Sequence, residues 1–257
     1  MAGMLDDRSL WRLDTFLLPP GRLSGGDVVV DGPEGHHAVH VLRVRPGTLV
    51  RVIDGEGVEA IGRVARVASG SADVEIIESR SHARSEGASL TIAQGLLKDR
   101  GFDEVVRRCT ELGVAEIVPL LTARVQVRSG GAGARTERWR AVAGAALKQS
   151  RGVFAPRIHE PQTLEELIGR LRAGGGTYVA WEEEQSLSLR DALRQDGAPR
   201  LIVGVVGPEG GLAAAEVRAL EGAGGRVVSL GRRILRADWA AAAVAAAVAH
   251  ETGGLLP

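Results

Sequence analysis

The stretch Arg200-Leu-Ile-Val-Gly-Val-Val-Gly-Pro-Glu-Gly-Gly211 decides the fold. An apolar run of strand character enters a glycine-rich loop, and a helix-forming segment follows from residue 213. In α/β sheets, ligands sit beyond the carboxyl ends of strands, so this loop marks a candidate site. It has neither the G-x-G-x-x-G spacing of a dinucleotide fingerprint nor the Lys-Ser/Thr pair of a P-loop. Pro208 offers no N–H and Glu209 repels anions, so the loop suits a neutral or cationic ligand close against the backbone. The plain alternative is a tight strand–helix turn with no ligand.

Working outward, the same alternation continues on both sides. Residues 89–97, 115–121, 177–181 and 226–230 read as strands. Phe102, Val105, Val106, Cys109 and Leu112 form a helical stripe that ends at Gly113. Trp139, Val142, Ala143, Ala146 and Leu147 mark another helix, and further helices are expected near 163–171, 187–194, 213–221 and 238–250. Strands alternating with helices predict an α/β domain with a mainly parallel sheet. Residues 17–78 differ in texture. Short β-rich runs at 28–30, 48–54, 59–67 and 72–78 are separated by Gly, Pro and Asp, with one helix from about 33 to 43. The polar segment 79–87 reads as a linker between the two parts.

A second constellation follows the last strand: Leu230-Gly-Arg-Arg-Ile-Leu-Arg-Ala-Asp238. Asp238 stands at the expected start of the last helix, where an acid caps well. Arg236 lies between Leu235 and an Ala-rich helix, a setting that predicts a buried arginine in need of a partner.

Charge gives a third signal. The 257 residues carry 32 basic and 32 acidic groups, so no whole-protein field favours nucleic acid. Residues 121–157, however, hold eight basic residues against one acid, Glu137, a net +7 in 37 residues. They include Arg124, Arg128, Arg140, Lys148 and Arg151, a footprint expected for a polyanion, with a solvated helix face as the bland alternative. Aromatic residues make up 3% of the chain, too few for a stacking platform. The single cysteine, Cys109, excludes an intramolecular disulfide framework and a cysteine-rich zinc site, and fits a reducing cytoplasm. His36 and His40 have helical spacing without accompanying acids, so no metal is expected. The longest apolar run, 239–249, is too short to span a bilayer, and the N-terminus has no apolar core of a signal peptide.

Taken together, residues 207–211 and Leu230-Gly-Arg-Arg-Ile-Leu-Arg236 resemble the C-terminal motifs of the ribosomal RNA small subunit methyltransferase E family, 16S rRNA uridine-N3 methyltransferases of the SPOUT superfamily. The likeness extends to Thr110-Glu-Leu-Gly-Val114, Lys148-Gln-Ser150, His37 with Val41-Leu-Arg43, and Asp54-Gly55, covering roughly residues 12–250. It implies a small PUA-like β-barrel domain for RNA over 12–80. A SPOUT-type α/β domain with a C-terminal deep trefoil knot is implied over 88–257. It implies S-adenosylmethionine as cofactor, a homodimer, and the small ribosomal subunit as partner. Carried over, Gly207, Pro208, Glu209, Gly210, Gly211, Leu230, Gly231, Ile234, Leu235 and Arg236 would line the cofactor pocket. Arg236 and Asp238 would act on the uridine, and Arg43, Arg124, Arg128, Arg140, Lys148 and Arg151 would contact RNA.

The chain also departs from the family. Where the family has Glu-Thr-Ala after the arginine, this sequence has Asp238-Trp239-Ala240. The shorter acid predicts a shifted carboxylate and the bulkier Trp239 a narrowed pocket. Arg151-Gly152 reverses the family order, and Gly101 replaces a lysine. A noncatalytic RNA-binding protein on the same scaffold is the alternative these changes motivate. A nucleotide-dependent oxidoreductase lacks its phosphate fingerprint.

Overall fold

The computed structural model describes residues 12–23, 25–84, 87–125, 132–171 and 175–254. The chain divides into two compact units, one of residues 1–84 with 147–155 and the other of residues 85–146 with 156–257.

The first unit holds strands β1 (Asp14–Leu17), β2 (Val28–Val30), β3 (Leu49–Ile53), β4 (Val58–Ala68) and β5 (Ser71–Ser81). Their sheet order is β1-β3-β4-β5-β2, antiparallel except for the β1–β3 pair. Where a barrel was expected, the described residues form a five-stranded sheet with β1 and β2 at its two ends and no pairing between them. Alternation along β2, buried–exposed–buried, puts Val28 and Val30 into a core with Phe16, Val50, Val52 and Val74. The single helix expected here is two pieces. The first is α1 (Gly32–His36), and a π-helical turn His37–Leu42 continues it to Arg43, whose φ of 55° is left-handed. Val41 in this turn is 60% exposed. Residues 147–155 belong to this unit because the buried Arg51 donates to the carbonyls of Arg151 (3.2 Å) and Gly152 (3.3 Å).

The second unit is a seven-stranded parallel sheet. Its strands are β6 (Ser89–Gly95), β7 (Glu116–Leu121), β8 (Arg157–Ile158), β9 (Gln162–Thr163), β10 (Gly176–Ala180), β11 (Leu201–Val206) and β12 (Arg226–Val228). The order is β12-β10-β11-β6-β7-β8, with β9 also on β7, and every pairing is parallel. Helices cover both faces, so the strands are apolar on both sides. Ile92, Ile117, Tyr178, Ile202 and Val228 face α2 (Gly101–Glu111), α3 (Ala132–Ser150), α5 (Leu189–Gln195) and α7 (Ala237–Thr252). Ala93, Val118, Val179, Val205 and Val227 face α4 (Leu164–Ile168) and α6 (Ala214–Gly222). Each fully buried aliphatic side chain stabilises the fold by about 1.5–3 kcal/mol.

The strand order reverses at β6. The chain runs outward through β7 and β8, then crosses to β10 and returns with β11 to lie between β10 and β6. Loops leaving β6, β10, β11 and β12 therefore converge at one end of the sheet.

Candidate cofactor and catalytic site

A cavity of about 570 Å³ opens at those strand ends. It lies within the range of small-molecule sites. Leu97 and Gly101 after β6, Ala180, Trp181 and Glu182 at the end of β10, residues 206–209 and 211 after β11, and residues 229–238 after β12 form its wall, with Ala240. Of the residues expected to hold a cofactor, Gly207, Pro208, Glu209, Gly211, Leu230, Gly231, Ile234, Leu235 and Arg236 line it, and Asp238 lies beside them. Gly210 does not. Its carbonyl accepts from Arg124 Nη1 at 2.8 Å, outside the cavity.

The loop after β11 is held from several sides. The fully buried Gln94 donates Nε2 to the Gly207 carbonyl at 2.8 Å. The Lys98 N–H donates to Glu209 Oε1 at 2.8 Å, so this acid fixes the loop as well as setting its charge. Two glycines are demanded by contact. A Cβ on Gly95 would lie 2.5 Å from the Pro208 nitrogen, so the end of β6 and the loop touch backbone to backbone. Gly211 has φ of 70°, and a Cβ there would strike the Glu182 carboxylate.

Asp238 is 5% exposed and paired twice. Its Oδ2 accepts from Arg108 Nη1 at 2.8 Å, and its Oδ1 accepts from Arg236 Nε at 3.1 Å. Burial pushes the carboxyl pKa up, but the hydrogen bonds and charges of the two arginines outweigh it and hold the pKa below its usual value. Asp238 is therefore a weak base and a good anchor. Its expected capping role is corrected: the N-cap of α7 is Arg236, and no side chain caps it. The expectation of a buried Arg236 is corrected too, since its side chain is 81% exposed. An arginine at a helix entry with one carboxylate partner keeps its stem in solvent. Trp239 does not narrow the cavity. It is 55% exposed, with Arg108 over its ring at 4.3 Å. Cys109 is buried and its thiol pushed up to about 12 by that burial, so it is no nucleophile.

A family profile described as an RNA methyltransferase domain matches residues 84–249, and one described as an RNA methyltransferase PUA domain matches residues 30–77. Ribosomal RNA small subunit methyltransferase E of Synechocystis is 31% identical over 86% of this chain and 72% of its own length. Its counterpart from Mycobacterium bovis is 34% identical over 88% of this chain and 87% of its own. The chain belongs to the ribosomal RNA small subunit methyltransferase E family. A solved methyltransferase E from Neisseria gonorrhoeae, bound to S-adenosyl methionine, superposes with a TM-score of 0.84 and 28% identity. The match covers 93% of this chain and 98% of that one.

Within this family frame, the basic residues separate by what they touch. Arg43 is exposed in the first unit. Arg140 is exposed in the second and pairs with Glu137 one helical turn away. Arg124 holds Gly210. Lys148 Nζ lies 2.5 Å from Glu34 Oε1, both side chains mostly buried. Arg151 follows the end of α3 and donates to the Leu13 carbonyl and Thr15 Oγ1 at 2.7 and 3.0 Å. Burial and the neighbouring Arg51 charge lower its pKa. Arg128 lies outside the described residues. Among the described residues, no cluster of three or more His, Cys, Asp or Glu is placed to hold a metal, and no helix is long and apolar enough to cross a membrane.

Sequence reading missed Ala180, Trp181, Glu182 and Arg108. The first three had a usable signal, because they follow a strand next to β11 in a parallel sheet. Arg108 had none, since it meets Asp238 across 130 residues.

Proposed function

We propose that this chain transfers a methyl group from S-adenosylmethionine to N3 of a uridine in 16S rRNA of the small ribosomal subunit. The observation that carries the reading is the cavity at the carboxyl ends of β6, β10, β11 and β12, lined by both C-terminal motifs. Its chemistry fits the cofactor. Leu97, Val206, Leu230 and Leu235 offer apolar wall for an adenine, and Glu182 and Glu209 supply negative charge suited to a sulfonium. The Pro208-Glu209 loop disfavours phosphate, which the cofactor lacks. When bound, the cofactor supplies an electrophilic methyl on a positive sulfur.

The chain's own residues would do the rest. Uracil N3 is a poor nucleophile while protonated. The exposed Arg236 guanidinium would stabilise negative charge growing on the uracil oxygens. Asp238, held ionised by two arginines, would orient Arg236, and the N3 proton would leave to water. The target base must be unstacked to reach the cavity, and Arg43, Arg124 and Arg140 would steer the RNA backbone.

Two finer features belong to the same reading. The residues after β11 and β12 would thread as a deep trefoil knot, as the family resemblance implies. The enzyme would work as a homodimer, whose second copy would cover Ile234, Leu235 and Trp239, large apolar residues 88%, 38% and 55% exposed. One experiment tests the cofactor site together with these two features: a crystal structure of the protein grown with S-adenosylmethionine. The expected result is cofactor in this cavity, a knotted backbone and a two-fold partner on that apolar face. Cofactor at another site, or none under saturating conditions, would contradict the reading.

A further inference from the structure

Arg108, on α2, stands outside the cavity yet is joined to it by an unbroken chain of contacts. Its Nη1 reaches both Asp238 Oδ2 (2.8 Å) and the Asp238 carbonyl (3.1 Å). The flat guanidinium lies 4.3 Å from the Trp239 ring centroid, and Nη2 is 3.6 Å from Glu104 Oε2. The other Asp238 oxygen takes Arg236 Nε at 3.1 Å. Asp238 and Trp239 are the two residues of α7 that Arg108 touches.

The physical consequence is directional. The Arg236 side chain is 81% exposed, and a solvated arginine has many rotamers. Its one hydrogen-bonded anchor among the described residues is the Asp238 carboxylate. That carboxylate can anchor only while its own rotamer is fixed, which the Arg108 contacts to side chain and backbone do. Trp239 under the guanidinium keeps Arg108 from swinging away through a cation–π contact.

We propose that Arg108 is a positioning residue for methyl transfer: acting through Asp238, it sets the direction in which Arg236 is presented at the cavity mouth. The inference rests on the role given to Arg236 above. A lysine would not substitute, because an ammonium has no planar fork to lie on Trp239 while holding Asp238.

The test is a mutant cycle in the full-length protein, with labelled S-adenosylmethionine and small ribosomal subunits lacking the modification. Arg108→Ala should lower kcat by roughly tenfold to a hundredfold, the cost of misplacing a catalytic group by about an ångström. Cofactor Kd should stay within about twofold because Arg108 lines no part of the cavity. Arg236→Ala should abolish most turnover, and the double variant should be no worse than Arg236→Ala alone. Where Arg108→Ala does not fold, Arg108→Lys serves, with Tm near wild type and kcat still depressed. Wild-type kcat in either Arg108 variant, or a double variant worse by the product of the single losses, would overturn the inference. Full turnover in Arg236→Ala would instead remove the role given to Arg236, and this inference with it.

Discussion

The Asp238 carboxylate sits between opposing effects, and their balance is measurable. Desolvation disfavours its charge, and Arg108 and Arg236 favour it more, so the folded pKa lies below the unfolded one of about 3.9. A depressed carboxyl stabilises the fold above the unfolded pKa and loses that contribution as pH falls toward the folded value. Asp238→Asn should therefore cost about 1–3 kcal/mol at pH 7, read by urea unfolding. The gap between wild type and variant should shrink below about pH 4. A gap that stays constant down to pH 3 would contradict the pairing. At this scale the sequence marked Asp238 and Arg236 through the motif around them, but misjudged their environments. Burial of a helix-entry residue depends on which side of the first turn meets the sheet, and local pattern does not encode that. Arg108 was invisible because an ion pair between two helices leaves no mark on either helix's periodicity.

Elements were legible where side chains repeat. The stripe from Phe102 to Leu112 became α2, and the apolar runs became β6, β7, β10, β11 and β12 within a few residues of their expected ends. β1, β8 and β9 were not anticipated. β8 and β9 are two residues long, too short to carry alternation, and β1 is defined by its parallel pairing with β3 rather than by its own composition. The contact between the end of β6 and the loop after β11 was also unreadable, because it joins segments 113 residues apart at the Gln94–Gly207 bond. It yields an element-level prediction. Gly95→Ala places a Cβ 2.5 Å from the Pro208 nitrogen, which must push the loop away. We expect cofactor affinity to fall by tenfold or more, about 1.4 kcal/mol or beyond, with the circular dichroism of the sheet unchanged. Undiminished affinity would show that the loop does not form the cofactor site.

Across the whole molecule, a parallel sheet with helices on both faces places its site where four strand ends meet, and there both C-terminal motifs converge. The change in texture near residue 80 lies close to the boundary between the two compact units at residues 84 and 85. The return of residues 147–155 to the first unit was not readable, because it depends on Arg51 reaching carbonyls a hundred residues away. The central claim is that this arrangement methylates a uridine of the small subunit. It is tested most directly by incubating the protein with labelled S-adenosylmethionine and small ribosomal subunits lacking the modification, followed by nucleoside mass spectrometry. The account predicts 3-methyluridine. A different methylated nucleoside, or no transfer while the cofactor is demonstrably bound and a control enzyme works, would contradict it.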